Sequence, residues 1–233
     1  MADLLFEITE LLKKAPKGDV FNPWFDQDKE NDYYTNAPEI RRHQMRAFLS
    51  ERVSPQGIKA LLLGEAIGYQ GGHFSGIPMV SERILLGHQS KKGILPEHVF
   101  QTLMPSATSI RGIEANGFNE PTATIVWEYL VNAGVNTYDY AIWNSFPWHP
   151  YNPKKGILSN RTPTKSELEA GHEVLKNILK LLKPKKIIAV GKKASEQLEI
   201  FGLEHFCVRH PANGGATEFR KQMSDLVLTL NRE

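Results

Sequence analysis

The chain has 233 residues, a formal net charge of +2 and one cysteine, Cys207. That length can bury a sizeable core without cross-links, and one cysteine excludes both a disulfide framework and a cysteine-ligated zinc or iron–sulfur centre within a single chain, in keeping with a reducing cytosol. A charge this close to balance does not announce a nucleic-acid partner, no apolar run approaches the roughly 20 residues of a membrane span, and the acidic, amphipathic start lacks the basic segment and apolar stretch of a signal peptide.

Leu4, Leu5, Ile8, Leu11 and Leu12 recur at helical spacing, so residues 3–14 read as an amphipathic helix that ends at Pro16 and Gly18. Residues 19–37 have no period and are rich in aromatics (Phe21, Trp24, Phe25, Tyr33, Tyr34), which predicts an ordered loop packed by those rings. A helix follows from about Pro38 to Arg52, with Pro38 tolerated in its first turn. Its arginines, Arg41, Arg42, Arg46 and Arg52, read as surface residues.

Lys59 to Leu63 is an apolar run that ends in Gly64-Glu65-Ala66-Ile67-Gly68, the pattern of a buried strand delivering a loop to a sheet edge. Ser81 reads as the cap of a short helix, and residues 87–120 are punctuated by Gly and Pro without a clear period. A helix over about Thr122–Asn132, closed by Gly134, precedes a second strand, Tyr140–Asn144, and a long loop from Ser145 to Pro163. Thr164 with Glu167 forms a capping box for a helix to Leu182. Lys186–Val190 is a third strand, Phe206–Arg209 a fourth, and Phe219, Met223, Leu226, Val227 and Leu230 line a last helix. The lysines between Lys176 and Lys193 read as a solvated helix face with its flanks.

Alternating strands and helices predict a three-layer α/β/α sandwich with a mostly parallel four-stranded sheet, in one domain over residues 1–233. Ligands in such sheets bind beyond the carboxyl ends of the strands. Three polar loops leave strands at that edge: Gly64 to Val80, Trp143-Asn144-Ser145-Phe146-Pro147-Trp148-His149-Pro150, and His210-Pro211-Ala212-Asn213-Gly214-Gly215. Each residue has a plain structural reading beside a functional one. Glu65 caps a turn or positions water; Asn144 forms a turn or reads a ligand edge; His210 is a buried histidine or a donor to developing negative charge. Met79 packs in the core or lies against a ring. His73 and His149 fall at the same edge without metal spacing.

Together the three loops resemble those of the uracil-DNA glycosylase superfamily. The spacing from Gly64 to Met79 is similar to that of the single-strand-selective monofunctional enzymes. The Gly-Glu-Ala wording is similar to that of the iron–sulfur enzymes, whose four cysteines are absent. The sequence departs from the family pattern at three points: Ala66 stands where many members carry a catalytic Asp or Asn, Ile67 replaces the motif proline, and Met79 the stacking aromatic.

The resemblance implies a monomeric, cytoplasmic, monofunctional DNA glycosylase that needs no cofactor or metal. Its substrate would be DNA holding uracil or another deaminated base, flipped out of the helix. It implies Glu65 and His210 as catalytic, Gly64, Ala66, Met79 and Asn144 as base-binding, and Gly214, Gly215 and Arg161 as DNA-binding. Uracil offers an N3–H donor and an O4 acceptor, and one Asn amide complements both. Two alternatives stay open: a relative that binds nucleic acid without turnover, and a small-molecule N-glycoside hydrolase on the same scaffold.

Overall fold

The computed structural model describes residues 2–230, with side chains through Val227. Helix α1 (Ala2–Leu12) buries Leu5, Ile8 and Leu12. After a two-residue strand, β1 (Val20–Phe21), the aromatic loop buries Phe21 and Trp24 and leaves Tyr33 and Tyr34 exposed. The Trp24 indole donates to Gly76 O at 2.9 Å, pinning this loop to the first strand-exit loop. Helix α2 (Ala37–Ser50) follows.

The arginine reading is corrected here: Arg41 and Arg52 are buried. Arg41 grips Asp32 bidentately, with 2.6 and 3.1 Å bonds. Arg52 donates to four backbone carbonyls, those of Phe48, His98, Val99 and Tyr140, and burial lowers its pKa to about 9. The fork of the guanidinium lets one side chain satisfy several orphaned carbonyls where segments without regular structure meet the sheet.

The main sheet comprises β2 (Ala60–Ala66), β3 (Tyr140–Phe146), β5 (Lys186–Val190) and β6 (Phe206–Val208), all parallel, in the order β3-β2-β5-β6. These are the four strands read from the apolar runs. Strand β2 continues past Leu63 because Gly64 pairs with Asn144 and Ala66 with Phe146. Glu65 therefore sits within the strand rather than in the loop after it. Strand β4 (His149–Pro150), inside the second loop, pairs antiparallel with β1.

Short helices α3 (Gly72–Ser75) and α4 (Glu82–Leu85) follow β2, and α5 (Pro121–Asn132) precedes β3. Ser81 makes no side-chain capping bond. Helix α6 (Lys165–Leu182) starts at the capping box: Glu167 N donates to Thr164 Oγ1 at 3.3 Å, and Thr164 N to Glu167 Oε2 at 2.7 Å. It packs on β3 and α1, while α7 (Lys192–Ile200) lies on β5 and β2 and α8 (Ala216–Leu230) against β6. In α8, Phe219, Met223 and Val227 are buried; the side chain of Leu230 lies outside the described residues. One core cluster runs from Leu5 to Val227. Among the described residues no helix is long and apolar enough to cross a membrane.

Candidate active site

Strand register brings Asn144 beside Gly64. A Cβ at position 64 would lie 2.5 Å from Asn144 Oδ1 and would also collide with Met79 Cε, so only glycine leaves room for both. The Asn144 side chain is 1% exposed, yet neither Oδ1 nor Nδ2 has a hydrogen-bond partner. An orphaned buried polar group costs about 1–3 kcal/mol, and an amide that could have turned to a carbonyl in folding has two of them.

Met79 covers this amide. Its backbone has the left-handed φ of 51°, uncommon for a residue with a side chain, and its carbonyl is fixed by the Trp127 indole at 2.9 Å. The main chain is thus pinned, and the end of the thioether packs over Gly64 beside the Asn144 side chain.

Residues alternate faces along a strand, so Glu65 points away from the Gly64–Asn144 face, toward α7. Its pKa is raised by burial, an effect that Lys193 opposes and Glu196 reinforces, and its Oε1 is buried without a partner. Glu65 and His210 line one cleft of about 730 Å³, together with Gly191, Lys193, Cys207 and Asn213. His210 Nδ1 accepts the Ala212 N–H at 3.1 Å. A neutral His210 therefore carries its proton on Nε2, where it can be donated. Burial and then Arg209 hold its pKa below the usual histidine value, which favours that neutral form.

A second cleft, of about 420 Å³, is lined by Gly68 and Gln70 of the first loop, Asn160 of the second, and Pro211, Ala212 and Asn213 of the third. The three strand-exit loops do converge, as their order along the chain implied. Asn160 Oδ1 ties two of them by accepting the Tyr69 N–H at 3.0 Å. Glu120 lines this cleft too. It lies in the stretch where the sequence shows no period, and its one local signal is an acid immediately before Pro121 at a helix start.

The family model for the uracil DNA glycosylase superfamily matches residues 51–230. The chain belongs to the uracil-DNA glycosylase superfamily. The crystal structure of wild-type SMUG2 from Pedobacter heparinus superposes with a TM-score of 0.63 over 99% of each chain at 15% identity, a likeness of fold. A search of curated protein sequences finds no match.

For a chain of this superfamily, two of the DNA contacts expected from sequence need correction. Arg161 is already consumed. Nε donates to Tyr151 O, and the terminal nitrogens to Thr162 O, Asp19 O and both Glu167 oxygens, the latter at 2.7 Å each. These use all five guanidinium N–H groups. Arg161→Lys should leave DNA affinity unchanged and cost about 2 kcal/mol of stability by losing charge-assisted bonds; a denaturant titration beside a DNA-binding titration checks both. The Gly215 N–H is likewise taken, by Ala212 O at 3.1 Å. Glycine is required at 215 because a Cβ would collide with His210 O, so its role is to let the His-Pro loop close on itself. Gly214, at φ 75°, makes the turn into α8.

His73 and His149 are fully buried rather than edge residues. Asp28 Oδ2 meets His73 Nε2 at 3.0 Å, His73 Nδ1 meets His149 Nδ1 at 2.9 Å, and His149 Nε2 meets Ser159 O at 2.8 Å. Burial, opposed by the bond to Asp28, lowers the His73 pKa, and, against its own burial, bonds to His73 and Asn31 lower that of Asp28. This chain of bonds fastens the aromatic loop, α3 and β4 together. Among the described residues no group of three or more His, Cys, Asp or Glu side chains is arranged to hold a metal.

Proposed function

We propose that the protein is a monofunctional DNA glycosylase that hydrolyses the N-glycosidic bond of uracil, or of a related deaminated base, flipped out of DNA. The observation that carries this reading is Asn144: a buried amide with both polar atoms unpartnered, packed with the Met79 thioether against Gly64. Its acceptor meets N3–H and its donor meets O4 of uracil, once the base has left the stack and Met79 has moved aside. His210 donates through Nε2 to the base oxygen that gains negative charge as the bond breaks. Glu65, in the same cleft as His210, supplies negative charge toward the oxocarbenium-like sugar. The exposed Lys192 and Lys193 at that cleft suit the DNA backbone. No lysine falls in the three strand-exit motifs to act as a Schiff-base nucleophile.

The test is single-turnover release from oligonucleotides that each hold one uracil, hypoxanthine or xanthine. Release of uracil supports the reading. Binding without release favours a non-catalytic relative, and cleavage of free nucleosides but not DNA favours a small-molecule hydrolase. Across a partly solvated cleft one charge acting on a cation is worth about 1–2 kcal/mol. Glu65→Gln should therefore slow release about tenfold, and an unchanged rate would make Glu65 a packing residue.

A further inference from the structure

Glu120 is an acid at the N-cap of α5 that does not cap its helix. Its side chain turns instead onto Gly71, where any Cβ would collide with Oε2. Although the residue keeps partial exposure, Oε2 is closed off from solvent and has no hydrogen-bond partner. Glu120 also lines the cleft where the three strand-exit loops meet, with Gly68, Gln70, Asn160 and Pro211. An orphaned carboxyl oxygen costs stability, and a turn of the side chain toward its own helix N-terminus would relieve it. The chain forgoes that bond and keeps glycine at 71.

Building on the glycosylase reading, we propose that Glu120 is the carboxylate that activates the attacking water. Ala66, at the motif position where an acid would stand on the Asn144 face, has no ionisable group. Glu65, the other acid near the strand ends, points to the opposite face and lies in the cleft that Lys193 shares. In the step assigned to Glu120, the water oxygen bonds to C1′ as the C1′–N1 bond breaks. The bonding pair leaves with the base, and Glu120 takes one water proton, which passes on to solvent or to the departing base. The products are an abasic deoxyribose and the free base, with no other reactant.

Burial alone raises the Glu120 pKa to about 7; no charged side chain of the first loop, α5 or the His-Pro loop adds to the shift. A base poised near the working pH is well matched to proton transfer. Below neutrality it is protonated and cannot accept, so the rate should climb as pH rises through about 7.

The experiment compares wild type, Glu120→Gln and Glu65→Gln in single-turnover uracil release from pH 5 to 9. Thermal melts verify that each variant folds. The same proteins are titrated with DNA holding either a cationic pyrrolidine or a neutral tetrahydrofuran abasic analogue. Glu120→Gln should fold, bind the neutral analogue as wild type does, release uracil on the order of a hundredfold more slowly at pH 8, and lack the rising limb through neutral pH. A rate close to wild type, or an equal fractional loss at every pH, overturns the proposal. If wild type itself releases no uracil, the glycosylase reading fails on its own and the binding arm decides. A preference for the cationic analogue that grows through neutral pH in wild type and Glu65→Gln, but not in Glu120→Gln, sustains an ionising carboxylate in this cleft. The same growth in Glu120→Gln overturns it.

Discussion

Asn144→Leu should stabilise the protein and nearly abolish uracil release. The two effects have one cause. The Asn144 amide is buried with neither polar atom bonded, so the fold bears its desolvation without return. Leucine has nearly the same shape and no polar atom, and replacing an unsatisfied buried polar group by an apolar one recovers about 1–2 kcal/mol of stability. The transition state, in contrast, loses two hydrogen bonds and leaves N3–H and O4 of uracil facing a methyl group. At about 2 kcal/mol each that is roughly 4 kcal/mol, or about a thousandfold in rate. Sites built to hydrogen-bond a ligand discriminate on this scale because the unmatched partner is left unpaired in a dry pocket. A chemical melt and a single-turnover assay on one preparation read both signs. If Asn144 were a turn-forming residue, the substitution would destabilise and would leave the rate of the remaining folded protein intact.

How much of this was legible in the sequence depends on whether the partner of each residue is local. The four strands show as apolar runs because both faces of a parallel sheet are covered, and the Thr164–Glu167 box shows because its two bonds close within one turn. Glu167 also holds Arg161, and that second partnership is what removes Arg161 from the DNA surface. A residue that serves as a helix cap and an ion-pair partner at once looks, in sequence, like the cap alone. The direction of Glu65 was hidden for a different reason. Gly-Glu-Ala reads as a turn, and it stays in the strand only because β3 reaches far enough to pair with it. One extra strand residue decides which sheet face a side chain meets. Glu120 was invisible because residues 87–120 take their shape from distant side chains. Glu51 accepts from Gln101 and Thr102, Gln44 from Ser106, and Glu82 from Thr108 and Ser109, so no local period records their course.

His210→Ala should slow uracil release about a hundredfold to a thousandfold while leaving affinity for DNA with an uncleavable uracil analogue within about threefold. The removal of one preorganised donor to a developing oxyanion costs about 2.7–4 kcal/mol, and such a donor acts chiefly where charge has formed, so the loss falls on the rate rather than on ground-state binding. The protonation state follows from a hydrogen bond. Nδ1 accepts the Ala212 N–H, and protonating the ring would set one N–H against another. Burial, with Arg209, lowers the pKa for the same outcome. Both favour the neutral Nε2–H form, the one that donates. The limb proposed near pH 7 is that of Glu120, whose pKa burial raises to about 7. This sets the two residues apart in one data set. His210→Ala lowers the whole pH profile and keeps its shape, whereas Glu120→Gln removes the shape. His210→Gln, which can present an N–H from a similar distance, should recover part of the rate. Equal losses of DNA affinity and of rate in His210→Ala would make His210 a docking residue. A collapse of the melt, with Gly191 and Gly215 packed against it, would make it a structural one.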